Sequence, residues 1–217
     1  MEESFWHNKW EIGQIGFHEK QANPLLIKFL EKLQLNPNQE NGSRIFLPLC
    51  GKTLDIHYLL GLGYQIVGVE FSELAIKELF QELDITPTVS KIDNFIHYQA
   101  PNIDIYVGDF FDLHHKLLGK FDAIYDRASL IALPEDIRLR YKQQLCKLTN
   151  CVKQLLICIE YDQSLMNGPP FSITAEMVNQ YYDANYSVEC LERNKIAGGF
   201  KGKYEGYESV YSLTPKI

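Results

Sequence analysis

Short apolar segments alternate with helix-like stretches between residues 44 and 160, and this alternation restricts the possible folds more than any other feature. Runs rich in β-branched and aromatic residues occupy positions 44–49, 65–71, 103–107, 121–125 and 152–160. Apolar strands that are separated by helices are typical of a parallel sheet covered by helices on both faces. We therefore predict an α/β fold, a three-layer sandwich around a mostly parallel sheet.

Two further strands are predicted near the C-terminus, at residues 186–192 and 207–213. No helix pattern separates them, so we expect them to pair antiparallel across the loop at 197–206. Residues 86–102 predict a loop or hairpin inserted ahead of the third strand of the sheet.

The first 43 residues differ from the rest because they hold both tryptophans of the chain, Trp6 and Trp10, together with Phe17. These aromatic residues either form a lid over a binding site or pin the segment to the body of the protein. No Pro-, Gly- or Ser-rich linker divides the chain. We predict one domain over residues 1–217, with a helical N-terminal arm at 1–43 and a catalytic core at 44–217.

The charge balance excludes some partners: 28 acidic residues against 21 basic ones give a net charge of −7. Nucleic acids and anionic membranes are bound through clustered cations, so neither is an expected partner. No apolar run approaches the roughly 20 residues that a membrane span needs, and no basic region followed by an apolar core begins the chain. We expect a cytoplasmic protein.

The five cysteines are an odd number without a C-x-x-C pair, and they stand at Cys50, Cys146, Cys151, Cys158 and Cys190. This spacing favours free, buried thiols in a reducing compartment over a disulfide framework or a zinc site. No metal site is predicted.

The first strand is followed by Cys50-Gly51-Lys52, a turn that invites comparison with phosphate-binding loops. A P-loop requires a glycine where this chain has Phe46, and the dinucleotide fingerprint requires two more glycines than Gly51 alone. Gly51 therefore either lets a ligand approach the backbone closely or only permits a tight turn. Nucleotide hydrolysis and dinucleotide-dependent oxidation are both disfavoured.

Glu70 lies at the end of the second strand, 19 residues after Gly51. An acid at this place in a parallel sheet typically accepts hydrogen bonds from ribose hydroxyls, although a solvated strand-end acid is the simpler alternative. A ribose acceptor beside a single glycine describes a site for an adenosine without a pyrophosphate. The common ligand of that shape is S-adenosylmethionine, whose cationic sulfonium suits acidic strand ends and an aromatic face.

Asp109-Phe110 follows the third strand, where the carboxylate can bind the adenine amino group and the ring can stack on adenine. The alternative for Phe110 and the neighbouring Phe111 is packing in the core, which we expect for at least one of them.

Arg127 is the only arginine among these strand ends, directly after Asp126. A guanidinium there suits a carboxylate or another anion that enters the site. A salt bridge to Asp126 or Asp122 is about equally compatible with the sequence.

Six segments carry a resemblance to a known family: W-x-x-x-W at 6–10, GFHE at 16–19, PLCGK at 48–52, VGVEFSELAI at 67–76, DRASLIALP at 126–134 and YDQSLMNGPPF at 161–171. In this order they resemble bacterial thiopurine S-methyltransferases over nearly the whole chain. The resemblance implies a class I methyltransferase fold, with a seven-stranded Rossmann-like sheet whose last strand is antiparallel. It also implies S-adenosylmethionine as cofactor, S-adenosylhomocysteine as product, and a monomer.

The resemblance also implies roles for individual residues. Cofactor contacts are implied for Trp10, Leu49, Glu70 and Arg127, with Asp109-Phe110 at adenine. Phe17 matches an aromatic residue of the acceptor pocket, and residues 169–171 match a loop near the acceptor. The family often carries an arginine in its C-terminal segment, but residues 198–203 here read GGFKGK, which contains none.

The expected reaction is methyl transfer to the sulfur of an aromatic or heterocyclic thiol such as a thiopurine. Such thiols are appreciably ionised near neutral pH, so no general base and no catalytic residue are predicted beyond acceptor positioning by Arg127. The alternatives are a methyltransferase for selenium or tellurium oxyanions, halide or sulfide, and a non-enzymatic nucleotide-binding protein.

Overall fold

The computed structural model describes residues 3–16, 18–36 and 42–216. The helices in this part of the chain are α1 (Glu3–Glu11), α2 (Pro24–Phe29), α3 (Leu54–Gly61), α4 (Glu73–Glu82), α5 (His115–Leu118), α6 (Glu135–Thr149) and α7 (Ala175–Tyr182). The strands are β1 (Arg44–Leu47), β2 (Gln65–Glu70), β3 (Thr88–Ile92), β4 (Phe95–Ala100), β5 (Ile103–Val107), β6 (Ala123–Arg127), β7 (Lys153–Tyr161), β8 (Tyr186–Lys195) and β9 (Gly206–Pro215). None of the described helices is both long and apolar enough to cross a membrane.

The chain separates into two compact units, an N-terminal one that ends at Ala123 and a C-terminal one that begins at Ile124. In the N-terminal unit the strands stand in the order β3-β4-β5-β2-β1. β1 pairs parallel with β2, and β2 pairs parallel with β5. Phe46, Val67 and Ile105 are completely buried, as expected for parallel strands with both faces covered.

Local sequence signals place the helices of this unit. The side chain of Asn23 accepts a hydrogen bond from the backbone N–H of Leu25 at 2.9 Å, and Pro24 is the first residue of α2. Ser72 caps α4 in the same way by accepting from the N–H of Ala75 at 3.3 Å. The N–H of Asn23 also donates to Asp55 Oδ1 at 2.7 Å, which ties the start of α2 to α3. These caps satisfy N–H groups that have no partner within the helix.

Residues 86–102 form the predicted hairpin, and it lengthens the sheet. β3 pairs antiparallel with β4, and β4 pairs antiparallel with β5. The described residues therefore contain nine strands rather than the predicted seven. The number of strands differs because the hairpin joins the sheet through hydrogen bonds between β4 and β5. No local sequence pattern predicts this pairing.

The C-terminal unit has the strand order β6-β7-β9-β8. β9 pairs antiparallel with β7 on one side and with β8 on the other, so the prediction of an antiparallel last strand is confirmed. Helix α7 begins after Thr174, whose side chain accepts the backbone N–H of Met177.

Cys146 and Cys151 are joined by a disulfide at the end of α6, whereas the sequence favoured free thiols. The helix ends at Asn150 in the left-handed conformation, with a φ of 57°. The chain thereby turns back, and the N–H of Cys151 donates to the carbonyl of Cys146 at 3.1 Å. The other three cysteines are free, with Cys50 and Cys158 buried.

Candidate functional site

The turn after β1 has an unusual backbone. Leu49 has a φ of 46° and Gly51 a φ of 52°, both in the left-handed region. The N–H of Cys50 between them donates to the carbonyl of Val69 at 3.0 Å, which fastens the turn to β2. The predicted contact residues Leu49 and Gly51 are thus held against the strand that carries Glu70.

Glu70 is buried at the end of β2, with an exposed fraction of only 7%. Its Oε2 accepts the backbone N–H of Gly51 at 2.9 Å, and its Oε1 accepts the N–H of Ser72 at 3.0 Å. Burial raises the pKa of Glu70, and the backbone hydrogen bonds from Ser72, Gly51 and Phe71 together with the nearby His7 oppose this effect. The simpler expectation of a solvated acid is therefore wrong.

The Glu70 carboxylate can accept more hydrogen bonds than its backbone partners supply. An ionised carboxylate offers about four lone-pair positions, and backbone N–H groups occupy one on each oxygen. No side chain among the described residues donates a hydrogen bond to it. Glu70 is therefore fixed in place while it can still accept two hydroxyl groups, such as those of a ribose.

Trp10 lies directly over the turn. A Cβ atom placed on Gly51 would be 3.0 Å from Trp10 Cζ2, and the Trp10 side chain is 6% exposed. Part of the reason for a glycine at 51 is therefore the approach of an aromatic ring from α1. Trp6 is half-buried and forms an edge-to-face contact with Phe5. The predicted acceptor residue Phe17 lies outside the described residues.

Asp109-Phe110 lies beside Glu70, because the N–H of Gly108 donates to the carbonyl of Glu70 at 2.9 Å. The Asp109 carboxylate accepts the N–H of Phe111 at 2.8 Å and caps a short 3-10 turn.

The ring of Phe110 is 1% exposed and packs against Phe46 and Phe111, with ring centres 6.5 and 5.4 Å apart. Phe110 is thus a core residue, as we expected for one of the two phenylalanines. A contact between its ring and adenine stays a prediction.

Lys52, the residue that suggested a phosphate-binding loop, forms ion pairs with two side chains of the protein. Its Nζ lies 2.9 Å from Glu78 and 2.7 Å from Glu82, both on α4. The lysine therefore ties the turn to a helix, which agrees with the exclusion of a P-loop.

In the C-terminal unit, β6 ends with Asp126-Arg127. Asp126 is completely buried and accepts hydrogen bonds from the Tyr141 hydroxyl at 2.8 Å and from Gln154 Nε2 at 3.3 Å. Burial raises the pKa of Asp126 to about 6, while the hydrogen bond from Tyr141 acts in the opposite direction. Asp126 is thus part of the core.

Arg127 is half-buried at the end of β6. The two carboxylates proposed from sequence as its ion-pair partners have other donors, since Asp122 accepts the backbone N–H of Arg44 at 2.7 Å and Asp126 is bonded as described. Successive residues of a strand face opposite sides of the sheet, so the side chains of Asp126 and Arg127 point apart. The role of Arg127 toward a ligand stays a prediction.

The sequence reasoning did not identify Arg138, which is 3% exposed on α6. Its Nε donates to the carbonyl of Leu133 at 2.9 Å, and its guanidinium lies 5.3 Å from the ring centre of Phe171. No local pattern marks this residue, because Phe171 belongs to a loop far along the chain. The described residues contain no group of three or more His, Cys, Asp or Glu side chains that could hold a metal ion.

The whole chain is similar to a family of known proteins. Residues 1–215 match the family model described as Thiopurine S-methyltransferase (TPMT). A thiopurine S-methyltransferase of Teredinibacter turnerae is 49% identical over 217 residues, covering 100% of this chain and 99% of that protein. One of Xanthobacter autotrophicus is 45% identical over 214 residues, covering 98% and 99%.

Among solved structures, the chain is similar to the Burkholderia thailandensis 1,6-didemethyltoxoflavin-N1-methyltransferase with bound 1,6-didemethyltoxoflavin and S-adenosylhomocysteine. The TM-score is 0.65 at 13% identity, over 98% of this chain and 87% of that one. At this identity the similarity concerns the fold, and it confirms the predicted methyltransferase fold class.

Proposed function

Because the chain belongs to the thiopurine S-methyltransferase family, we propose that it moves a methyl group from S-adenosylmethionine to the sulfur of an aromatic or heterocyclic thiol. The products are the methyl thioether and S-adenosylhomocysteine. The observation that carries the proposal is the buried Glu70 carboxylate, held by Gly51 and Ser72 with capacity left for two hydroxyl groups.

The residues fit this cofactor chemically. Glu70 accepts the ribose hydroxyls, and Asp109, whose backbone adjoins Glu70 through Gly108, binds the adenine amino group. The aromatic face of Trp10 suits a sulfonium, because a cation is attracted to the face of an indole ring. The turn at 48–51 holds one glycine, fewer than a pyrophosphate-binding loop needs, which suits a nucleoside without a pyrophosphate.

The bound cofactor supplies an electrophilic methyl group on a positively charged sulfur. The protein's own contribution is to orient and to exclude water, because an ionised thiol needs no strong base to attack. Arg127 holds the anionic acceptor, for which a planar, always charged guanidinium is well suited. No residue is proposed to take part covalently.

We also propose a monomeric, cytoplasmic enzyme with small molecules as its partners and the 1–43 segment as a lid. The net charge of −7 supports a monomer, because like charges keep protein molecules apart. The position of Trp10 over Gly51 supports the lid. Sedimentation at several protein concentrations tests the oligomeric state.

The decisive experiment is an acceptor panel with the purified full chain. S-adenosylmethionine is mixed with an aromatic thiol, selenite, tellurite, iodide or sulfide, and both products are quantified by mass spectrometry. We expect the aromatic thiol to give methyl thioether and S-adenosylhomocysteine in equal amounts. Turnover of only the inorganic acceptors would replace the thiol assignment, and binding of S-adenosylhomocysteine without any turnover would favour a non-enzymatic protein.

The variants Arg127→Ala and Arg127→Lys test whether Arg127 binds the methyl acceptor. We expect both variants to lose at least roughly tenfold in kcat/KM for the thiol, because one charge-assisted hydrogen bond contributes about 1.5–3 kcal/mol. Arg140→Ala, an exposed arginine on α6, is the control. Unchanged thiol turnover in the Arg127 variants would remove Arg127 from the acceptor site.

A further inference from the structure

Arg138 is a buried cation whose partners are neutral. In the part of the chain that the structure describes, its contacts are one hydrogen bond to the Leu133 carbonyl and the ring of Phe171, without a carboxylate at ion-pair distance. Removing a charge from water without a counter-ion is unfavourable, and an apolar side chain of similar volume often makes a protein more stable. A charged residue at this place therefore needs a reason other than stability.

The contacts of Arg138 join two segments that lie far apart in the sequence. Leu133 directly follows the 3-10 turn Leu130–Ala132, which comes shortly after Arg127. Phe171 ends the loop that contains residues 169–171, and its N–H donates to the carbonyl of Ile131 at 2.6 Å. One guanidinium thus holds both sides of this backbone contact.

The same loop end is held from its other side by Tyr161. The Tyr161 hydroxyl donates to the carbonyl of Pro170 at 2.6 Å, and its ring stacks on Phe200 with ring centres 4.6 Å apart. Gly168 adapts the loop to this arrangement, because a Cβ there would lie 2.6 Å from the Phe171 ring. The loop end therefore has a defined conformation, with Arg138 as its only charged contact among the described residues.

We propose that Arg138 is a positioning residue for the methyl acceptor, because it clamps Phe171 against the turn that follows Arg127. The proposal rests on the proposed function, in which Arg127 holds the acceptor, because the turn that follows Arg127 contains Ile131, which accepts the N–H of Phe171. Arg138 itself does not touch the reacting atoms. It sets the conformation of the acceptor side and has no part in binding the cofactor at Glu70.

Two substitutions separate positioning from stability. Arg138→Met keeps the volume and removes the charge, so we expect a melting temperature equal to or above that of the wild type. Arg138→Lys keeps the charge but lacks the planar guanidinium that lies over the Phe171 ring and donates to the Leu133 carbonyl. In both variants we expect kcat/KM for the aromatic thiol to fall at least tenfold. The Kd of S-adenosylhomocysteine, measured by calorimetry, should stay within twofold of the wild type.

Hydrogen exchange gives a readout that does not depend on activity. The Phe171 amide should exchange at least tenfold faster in both variants, because its bond to Ile131 is no longer clamped. Arg140→Lys, an exposed arginine on the same helix, is the matched control and should leave every readout unchanged.

The outcomes are distinct. Wild-type thiol turnover in Arg138→Met and Arg138→Lys would overturn the proposal, as would parallel losses of melting temperature, cofactor affinity and turnover, which indicate a purely structural residue. If the wild type methylates no thiol, the proposed function fails. In that case hydrogen exchange of the Phe171 amide tests the contact by itself. An exchange rate in the Arg138 variants equal to that of the wild type would show that Arg138 does not hold Phe171 in place.

Discussion

Glu70 and Asp126 occupy equivalent places, each a buried carboxylate at the end of a strand, yet the protein treats them differently. Among the described residues, the hydrogen-bond donors to Glu70 are backbone N–H groups, with those of Gly51 and Ser72 at 2.9 and 3.0 Å. Asp126 accepts from the side chains of Tyr141 and Gln154 as well as from the backbone of Leu130. Backbone donors orient a carboxylate without enclosing it, whereas side-chain donors complete a core network. The difference supports the proposed binding role of Glu70 and a structural role of Asp126, although their positions in the strands are alike.

The pH dependence of stability tests the structural half of this comparison. Burial raises the pKa of Asp126 from 3.8 to about 6, so the folded protein holds this proton more tightly than the unfolded chain. Its contribution to the free energy of unfolding is complete below pH 3.8 and is lost as the pH rises through about 6. The loss amounts to about 3 kcal/mol at 1.36 kcal/mol per pKa unit.

Urea unfolding at several pH values between 3.5 and 7.5 measures the contribution of Asp126, taken as the difference in unfolding free energy between the wild type and Asp126→Asn. The variant cannot titrate, so its stability should decline less over this window. Asp122→Asn, at an exposed position, serves as the control. Parallel curves for the wild type and Asp126→Asn would show that Asp126 does not titrate as proposed.

Removing Glu70 tests the binding half of the comparison. We expect Glu70→Ala to weaken binding of S-adenosylhomocysteine by roughly 100-fold or more, because two hydrogen bonds to a charged group contribute about 1.5–3 kcal/mol each. Titration calorimetry measures the Kd, with Glu31→Ala, an exposed acid of the same unit, as control. An unchanged Kd would refute the ribose assignment.

Tyr141→Phe tests the difference between the two carboxylates further, because it removes a side-chain hydrogen-bond donor from Asp126. No described side chain donates to Glu70 in this way. The Tyr141 hydroxyl donates to Asp126 at 2.8 Å. We expect the free energy of unfolding to fall by about 2 kcal/mol at pH 7.5, where Asp126 is ionised, and by less at pH 4.5. Urea unfolding at both pH values measures the effect, with Tyr204→Phe as control. Equal losses at both values would mean that the hydroxyl does not act through the charge of Asp126.

Gly51→Ala has the smallest expected effect. The substitution places a Cβ at a φ of 52° and 3.0 Å from Trp10 Cζ2. We expect a loss of about 1 kcal/mol in unfolding free energy, together with weaker binding of S-adenosylhomocysteine. Gly61→Ala, where no atom lies within 4 Å of the new Cβ, should be neutral or stabilising. A Gly51→Ala variant as stable as Gly61→Ala would show that the turn relaxes freely.

The sequence by itself determined the features that depend on neighbouring residues. The alternation of strands and helices and the acid at the end of β2 were predicted from local patterns, and the structure confirms them. The caps at Asn23 and Ser72 also involve only neighbouring residues. These patterns suffice because strand burial, helix capping and strand ends are decided within a few residues.

Only the tertiary structure decided features that join distant residues. It placed the hairpin beside β5, put Phe110 in the core, enclosed Asp126 between Tyr141 and Gln154, and brought Phe171 to Arg138. Asp126 and Glu70 have similar local contexts, because each is an acid near the end of an apolar strand. What distinguishes them is which donors the rest of the chain brings to each carboxylate, and that depends on packing between segments far apart in the sequence.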